Sequence, residues 1–288
     1  MAGSRFQFDA SQQYQLDAIN SVVGLFDGQP HDADKLITTL RGAAVLAEGA
    51  EEALDLDLTQ EVGAVGNNLV LDSGLVLANL QTVQDQNGLE VSKALFDAEA
   101  FDFDIEMETG TGKTYVYIKT IMELHRQFGW SKFVVVVPSV AIREGVKKSF
   151  EITADHFLAE YKTQARAFVY DSEHLEDVET FSSDTGIQVM IINAQNFNRD
   201  AKKADQDSAE SGKSSGLKMF KALDGFKSRR PIDVIAANRP ILIIDEPQRL
   251  GSNPSKPSET LKALGRFNAL FALRYSATHA IEHNKVHR

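Results

Sequence analysis

Apolar residues along this chain repeat with two periods, and the switches between them mark out the elements. Short runs occur at Phe101-Asp102-Phe103-Asp104-Ile105, Lys132 to Pro138, Arg166 to Tyr170, Ile187 to Ile192, Arg239 to Ile244 and Asn268 to Tyr275. Their lengths, and their polar, Gly or Pro boundaries, predict strands. An unbroken run such as Phe133-Val134-Val135-Val136-Val137 predicts one buried on both faces. Lys113 begins a helical spacing that puts Tyr117, Ile118, Ile121, Met122 and Leu124 on one face. Ser139 opens a second helix that runs to about Phe157. Strand, turn and helix in alternation predict an α/β fold, a mostly parallel sheet flanked by helices.

The first hundred residues read differently. Leu16, Ile19, Val22, Val23 and Phe26 have helical spacing, Ser11 suits the N-cap, and Asp27-Gly28-Gln29-Pro30 stops the helix. Residues 31–100 read as an insertion lobe of unknown role: a helix from Asp32 to Ala50 (Leu36, Ile37, Leu40, Ala44, Leu46), a short strand at Asn68-Leu69-Val70-Leu71, and a helix from Asp72 to Gln86 closed by Asn87-Gly88. The lobe is acidic, and Asp55 with Asp57 reads as a solvated face rather than an acid/base pair. Residues 200–230, rich in Lys, Ser, Asp and Gly with little periodicity, read as a mobile loop, most clearly as far as Gly216. Residues 1–30, 31–100 and 101–288 are thus three expected units.

Composition narrows the class. With 43% hydrophobic and 25% charged residues the chain can bury a sizeable core. It has no cysteine, which excludes a disulfide framework and cysteine-ligated metal centres. No apolar run nears the roughly 18 residues of a membrane span, and Met1-Ala2-Gly3-Ser4-Arg5 has no signal core; a soluble cytoplasmic protein without a membrane partner is expected. A net charge of −11 argues against a simple cationic DNA-binding module. It leaves room for a nucleic-acid motor, which grips the phosphate backbone with local amides, hydroxyls and a few cations.

Within the α/β pattern, Glu106-Met107-Glu108-Thr109-Gly110-Thr111-Gly112-Lys113-Thr114 carries the most chemistry. Strand, glycine-rich turn and helix is the setting of a phosphate-binding loop. Gly110 and Gly112 let backbone N–H groups turn toward a polyphosphate, and the helix N-terminus adds its partial positive charge. On this reading Thr109 to Gly112 form the cradle, Lys113 reaches the β- and γ-phosphates of ATP, and the Thr114 hydroxyl binds Mg²⁺. The strict pattern opens with Gly where Met107 stands. A plain turn before an ordinary helix is the competing reading.

Three further positions fall into place around that loop. The strand Ile241 to Ile244 ends in Asp245-Glu246, which suits Asp245 to holding Mg²⁺ and Glu246 to orienting the attacking water. The last strand ends in Ser276-Ala277-Thr278, two small hydroxyls placed to couple a nucleotide site to a nucleic-acid groove. Ser139 and Arg143, at a strand-to-helix corner, are either phosphate-backbone contacts or an N-cap and a surface cation. Gln15, near a helix start, either reads the adenine edge, with Phe6 or Phe8 stacking, or is merely solvated.

Thr109 to Thr114, Asp245-Glu246-Pro247-Gln248 and Ser276-Ala277-Thr278, in that order, resemble motifs I, II and III of superfamily 2 helicases. The longer strings Met107 to Tyr117, Val137 to Val146, Ile244 to Gln248 and Arg274 to His279, with Phe6-Gln7-Phe8 and Tyr14 to Ile19, resemble the Res subunit of type III restriction–modification enzymes. The resemblance runs over nearly the whole chain. It implies a RecA-like P-loop NTPase domain and an ATP- and Mg²⁺-dependent motor on double-stranded DNA. It also implies a methyltransferase partner that recognises the site while the Res subunit moves on the DNA and cuts it. On this chain it implies phosphate and Mg²⁺ roles for Lys113 and Thr114, metal and water roles for Asp245 and Glu246, adenine reading by Gln15, and ATP–DNA coupling by Ser276 and Thr278. The family continues into a second RecA-like domain, with an arginine finger, and a nuclease domain, neither of which fits after His279. The expectation is a chain that alone binds ATP, hydrolyses it poorly and does not cleave DNA; a catalytically silent ATP- and DNA-binding fragment is the alternative.

Overall fold

The computed structural model describes residues 12–31, 36–39, 63–95, 101–194, 219–223, 226–250, 263–279 and 284–287. The first helix, α1 (Gln13–Gly24), is followed by a small antiparallel pair, β1 (Leu36–Thr39) and β2 (Gly63–Gly66), and by α2 (Ser73–Gln86). Strand and helix then alternate: β3 (Asp102–Glu106), α3 (Lys113–Phe128), β4 (Lys132–Val137), α4 (Val140–Tyr161), β5 (Arg166–Val169), α5 (Glu176–Ser183) and β6 (Gln188–Asn193). After α6 (Pro231–Ala237) come β7 (Ile241–Asp245), β8 (Ala272–Ser276) and β9 (Lys285–His287). Strands β3 to β9 form one parallel sheet in the order β5-β6-β4-β7-β8-β3-β9. This is the predicted α/β arrangement, a parallel sheet flanked by helices.

The unbroken apolar strands are buried throughout, at every residue of β4, β6, β7 and β8. Alternate side chains of β4 serve opposite cores, as the period of two requires. Phe133, Val135 and Val137 pack with α1, α2 and α3, while Val134 and Val136 pack with α5 and α6. An aromatic knot centres the first core, with Phe26 stacked on Phe271 at 4.4 Å and edge-on to Trp130 at 5.0 Å.

Helix α3 departs from the one-faced pattern. Residues Val116 to Leu124 are all buried, because α1 covers one side and α4 the other. The two charged residues trapped there find partners: Lys119 lies 2.9 Å from Glu160 of α4, and Glu123 accepts from the Tyr161 hydroxyl at 2.6 Å and from Arg126. A buried charge without such partners would be strongly destabilising.

The interval before the P-loop needs two corrections. Residues 36–39, expected within a helix, form strand β1, and the rest of 32–50 lies outside the described residues. The strand is β2 at 63–66 rather than 68–71. Beyond Gly66 the backbone is held by side chains instead of a ladder: Trp130 and Gln29 both donate to the Asn68 carbonyl, at 2.8 and 3.0 Å, and Gln29 Oε1 accepts from Val70 N–H. The buried Asn67 clasps the start of the sheet. Its Nδ2 donates to the carbonyls of Lys132 and Arg239 at 2.8 and 3.2 Å, and its Oδ1 accepts from the N–H groups of Ser131 and Lys132 at 2.9 and 3.2 Å. Helix α2 forms as expected, its N-cap Asp72 accepting from Leu75 N–H at 3.0 Å. Its amides then cover the outer strand, Gln84 donating to the Lys285 carbonyl and Asn87 to that of Val286.

Phe6, Phe8, Ser11 and residues 200–218 lie outside the described residues; the N-cap of α1 is Gln12. Met219, Phe220 and Phe226 are buried in the second core, so the loop reading does not extend to the end of 200–230. The same parallel sense brings all strand ends to one edge, where such sheets bind ligands. Because β7, β8 and β3 are neighbours, Glu106 pairs with Ser276 and Asp245 with Tyr275. Met107 N–H continues the ladder to the Ser276 carbonyl at 2.8 Å and Glu246 N–H to that of Tyr275 at 2.9 Å. Three turns distant in sequence thus lie side by side.

Candidate nucleotide-binding site

The loop between β3 and α3 turns on two glycines in the left-handed region, Gly110 at φ +86° and Gly112 at φ +85°. A Cβ on Gly110 would meet nothing within 4 Å, so that side of the loop faces open space. A Cβ on Gly112 would lie 2.8 Å from Gln15 Nε2 and displace that amide, and the positive φ strains any other residue there. Gln15 Nε2 donates to the Thr111 carbonyl at 2.8 Å, and the Tyr14 hydroxyl lies 3.1 Å from the same oxygen and 2.5 Å from Gln12 Oε1, donating to one of them at a time. Helix α1 therefore braces the loop. Gln15 keeps Oε1 and a second amide hydrogen, which makes only a 3.4 Å contact with the Tyr14 hydroxyl. The Thr111 hydroxyl closes the turn onto the Glu108 carbonyl at 2.6 Å, and Thr109 is exposed.

Lys113, the first residue of α3, returns its side chain across the loop. Its Nζ lies 3.4 Å from the Met107 carbonyl and 3.1 Å from Glu246 Oε1. Glu246 sits at φ +52°, a left-handed backbone that non-glycine residues seldom adopt. Its other oxygen accepts from the Gln248 amide and lies 3.4 Å from the Ser276 hydroxyl. Ser276 is fully buried, with Gln248 Oε1 and the Thr278 carbonyl each 2.7 Å from its Oγ. A hydroxyl has one proton, so it donates to one of these at a time. The result is a chain of polar contacts, Lys113–Glu246–Gln248–Ser276–Thr278, across three strand ends. Gln248 is the member that sequence reasoning did not single out. Its signal was there: an amide three residues after Asp245 can both donate to a carboxylate and accept from a hydroxyl.

Asp245 is nearly inaccessible, and its carboxyl is pushed up to about 6, first by burial and then by Glu246, against the pull of Lys113 and Arg249. Tyr117 lies beside Thr114 and Asp245, and burial, reinforced by Asp245, pushes its phenol well above the usual range. These surroundings fit a bound cation. Thr114 and Asp245 offer hard oxygen donors, and the loop offers N–H groups to phosphates. No group of three His, Cys, Asp or Glu residues suited to a metal occurs among the described residues, and Mg²⁺ held by one carboxylate, a hydroxyl, water and phosphates needs none.

The raised Asp245 pKa has a testable sign. The folded carboxyl holds its proton more tightly than the unfolded one, so stability falls as pH rises from about 4 to 6 and stays at the lower level above. Asp245→Asn is expected to stabilise the fold by about 2–3 kcal/mol at pH 7.5, with the gain disappearing near pH 4. Thermal denaturation at both pH values checks this, and a pH-independent gain would contradict it.

The remaining predicted residues stand apart. Ser139 is the N-cap of α4, accepting from Ile142 N–H at 3.3 Å, and Arg143 pairs with Glu144 at 2.7 Å. Both lie at the carboxyl end of β4, but among the described residues no contact joins them to the Lys113 chain. Thr278 is exposed. Beneath it His279 Nδ1 and Arg274 Nε lie 3.3 and 3.4 Å from Asp104 Oδ1, anchoring the turn to β3. No described helix is long and apolar enough to cross a membrane.

Known proteins are similar to this chain in sequence. Residues 74–281 match the family model of the type III restriction enzyme Res subunit. The chain is 34% identical over 206 residues to the Res subunit of the Escherichia coli type III restriction–modification enzyme EcoP15I, covering 69% of this chain and 21% of that protein. It is 32% identical over 211 residues to the EcoPI Res subunit of Escherichia phage P1, with the same coverage, 69% and 21%. It thus spans about a fifth of the length of these relatives. Among solved structures it is similar to a Sulfolobus solfataricus SWI2/SNF2 ATPase core in complex with dsDNA, at 12% identity and a TM-score of 0.37, covering 62% of this chain and 27% of that one. With the family model matching most of its length, the chain belongs to the Res-subunit family of type III restriction enzymes.

Proposed function

We propose that this chain is the ATP-binding motor lobe of a type III restriction enzyme, binding Mg·ATP at the loop of residues 106–114 and passing the state of that site to double-stranded DNA. The observation that carries this reading is the continuous set of contacts from Lys113 through Glu246 and Gln248 to Ser276 and Thr278. Thr109 to Gly112 and Lys113 bind the phosphates, while Thr114 and Asp245 hold Mg²⁺. Mg²⁺ held there would supply positive charge against the phosphates. Glu246, released from Lys113 when the ammonium turns to phosphate, orients the attacking water and accepts its proton. That release also frees the Gln248 amide, and the single Ser276 proton redistributes between Gln248 and the Thr278 carbonyl. Gln15 holds the loop and offers Oε1 to adenine. Ser139 and Arg143 present a hydroxyl and a cation to the DNA backbone. The relatives named above are subunits of restriction–modification enzymes, which supports a methyltransferase partner that selects the site and a role in DNA cleavage by the assembled enzyme.

Coupling is tested by measuring duplex affinity, by fluorescence anisotropy, with and without a Mg²⁺-bound non-hydrolysable ATP analogue. The nucleotide is expected to change DNA affinity by about fivefold or more. Ser276→Ala should keep nucleotide binding and reduce that change to less than about twofold. Full coupling in the variant would contradict the proposed route.

A further inference from the structure

In a chain of net charge −11, residues 219–230 carry Lys221, Lys227, Arg229 and Arg230 against Asp224. The backbone around them is a closed turn. Leu223 and Arg229 form an antiparallel bridge, and the N–H groups of Phe226 and Ser228 donate to the Leu223 carbonyl at 2.8 and 3.0 Å. Arg229 N–H closes the tip onto the Phe226 carbonyl at 3.1 Å, with Lys227 and Ser228 between them at φ +56° and +55°. Two successive left-handed positions are usually given to Gly, Asn or Asp. Backbone strain of this kind gathers at functional sites. Met219, Phe220 and Phe226 anchor the turn in the second core. The Arg229 guanidinium is spent inward as well, 4.7 Å from the Phe226 ring and 3.1 Å from Glu179 Oε1. What remains outward is Lys227 and Ser228, both exposed, and the half-buried Lys221. Arg230 is held by Asp233 at 2.6 Å, whereas neither lysine makes an ion pair among the described residues.

The fold sets where this turn sits. Asn238, at the end of α6, donates to the Ser182 carbonyl near the end of α5 at 3.1 Å, close to the start of β7. The first residues of both helices therefore point toward the carboxyl edge of the sheet. The turn precedes Pro231 and pairs with Glu179, so it lies on that side. Its outward face has no large apolar residue, the usual centre of a protein interface. Cations and a hydroxyl without an apolar anchor suit a phosphate backbone.

We infer that the turn of residues 219–230 is a second contact for duplex DNA, with Lys221 and Lys227 each meeting a backbone phosphate. The inference rests on the DNA reading above and adds a surface separate from Ser139, Arg143 and Thr278. Fluorescence anisotropy of a labelled duplex, titrated at several salt concentrations, tests it on wild type and on Lys221→Gln/Lys227→Gln. In the variant the slope of log affinity against log salt is expected to become shallower by about 2, and affinity near about 0.1 M salt to fall about tenfold or more. Mg·ATP binding should stay within about twofold of wild type. Lys221→Arg/Lys227→Arg keeps both charges and is expected to keep the wild-type slope. An unchanged slope and affinity in the glutamine variant would overturn the assignment and leave the turn to an acidic protein surface. An equal loss in the arginine variant would overturn it too, by showing that charge is not what matters. Wild type that binds no duplex would instead sink the DNA reading, and this inference with it.

Discussion

Lys113→Ala is expected to lower the affinity for Mg·ATP by at least about 100-fold, from a micromolar-to-millimolar Kd to one beyond the reach of calorimetry. Two effects add. The variant loses the ammonium that meets the phosphates, and it leaves Glu246, normally 3.1 Å from that ammonium, as a bare carboxylate facing an anion. The side chain is no part of either hydrophobic core, so the melting temperature should stay close to wild type. Equal heats of binding in wild type and variant would overturn the site assignment.

Asn67→Ala is expected to destabilise the fold by about 3–5 kcal/mol, a fall in melting temperature on the order of 10 °C. The carboxamide makes four hydrogen bonds at 1% exposure, joining the starts of β4 and β7. Removing it strands two carbonyls and two N–H groups away from water. β7 also carries Asp245 and Glu246 to the opposite edge, so loosening its base should weaken nucleotide binding as well. Urea denaturation checks the first effect; a loss below about 1 kcal/mol would show that water replaces the clasp.

The expected stability effects of Asn67 and Asp245 arise from features of unequal legibility. The Asp245 position could be read because an apolar strand ending in two carboxylates is a local pattern. The same holds for β4, β6, β8 and the phosphate loop, where chemistry and spacing lie within about a dozen residues. Asn67 could not be read, since its partners are 64 to 172 positions away. The 68–71 segment was lost for the same reason: Gln29 and Trp130 satisfy its backbone from distant elements. Strand β1 was hidden by apolar spacing that also suits a helix, although Ile37, Thr38 and Thr39 are β-branched and could have warned against it. Lys119 and Glu123 made α3 look half-exposed because a letter sequence does not show that Glu160, Arg126 and Tyr161 meet them. At the site, the residue types were legible but their adjacency was not. It depends on β7, β8 and β3 being neighbours, and Gln248 acquires its role only through that order.

A crystal structure of the chain with a Mg²⁺-bound non-hydrolysable ATP analogue tests the central claim most directly. The account predicts phosphate density against residues 108–114, Lys113 Nζ turned from Glu246 to the phosphates, and Mg²⁺ beside Thr114 and Asp245. Nucleotide bound elsewhere, or a loop free of phosphate at saturating ligand with the Lys113–Glu246 pair intact, would contradict it.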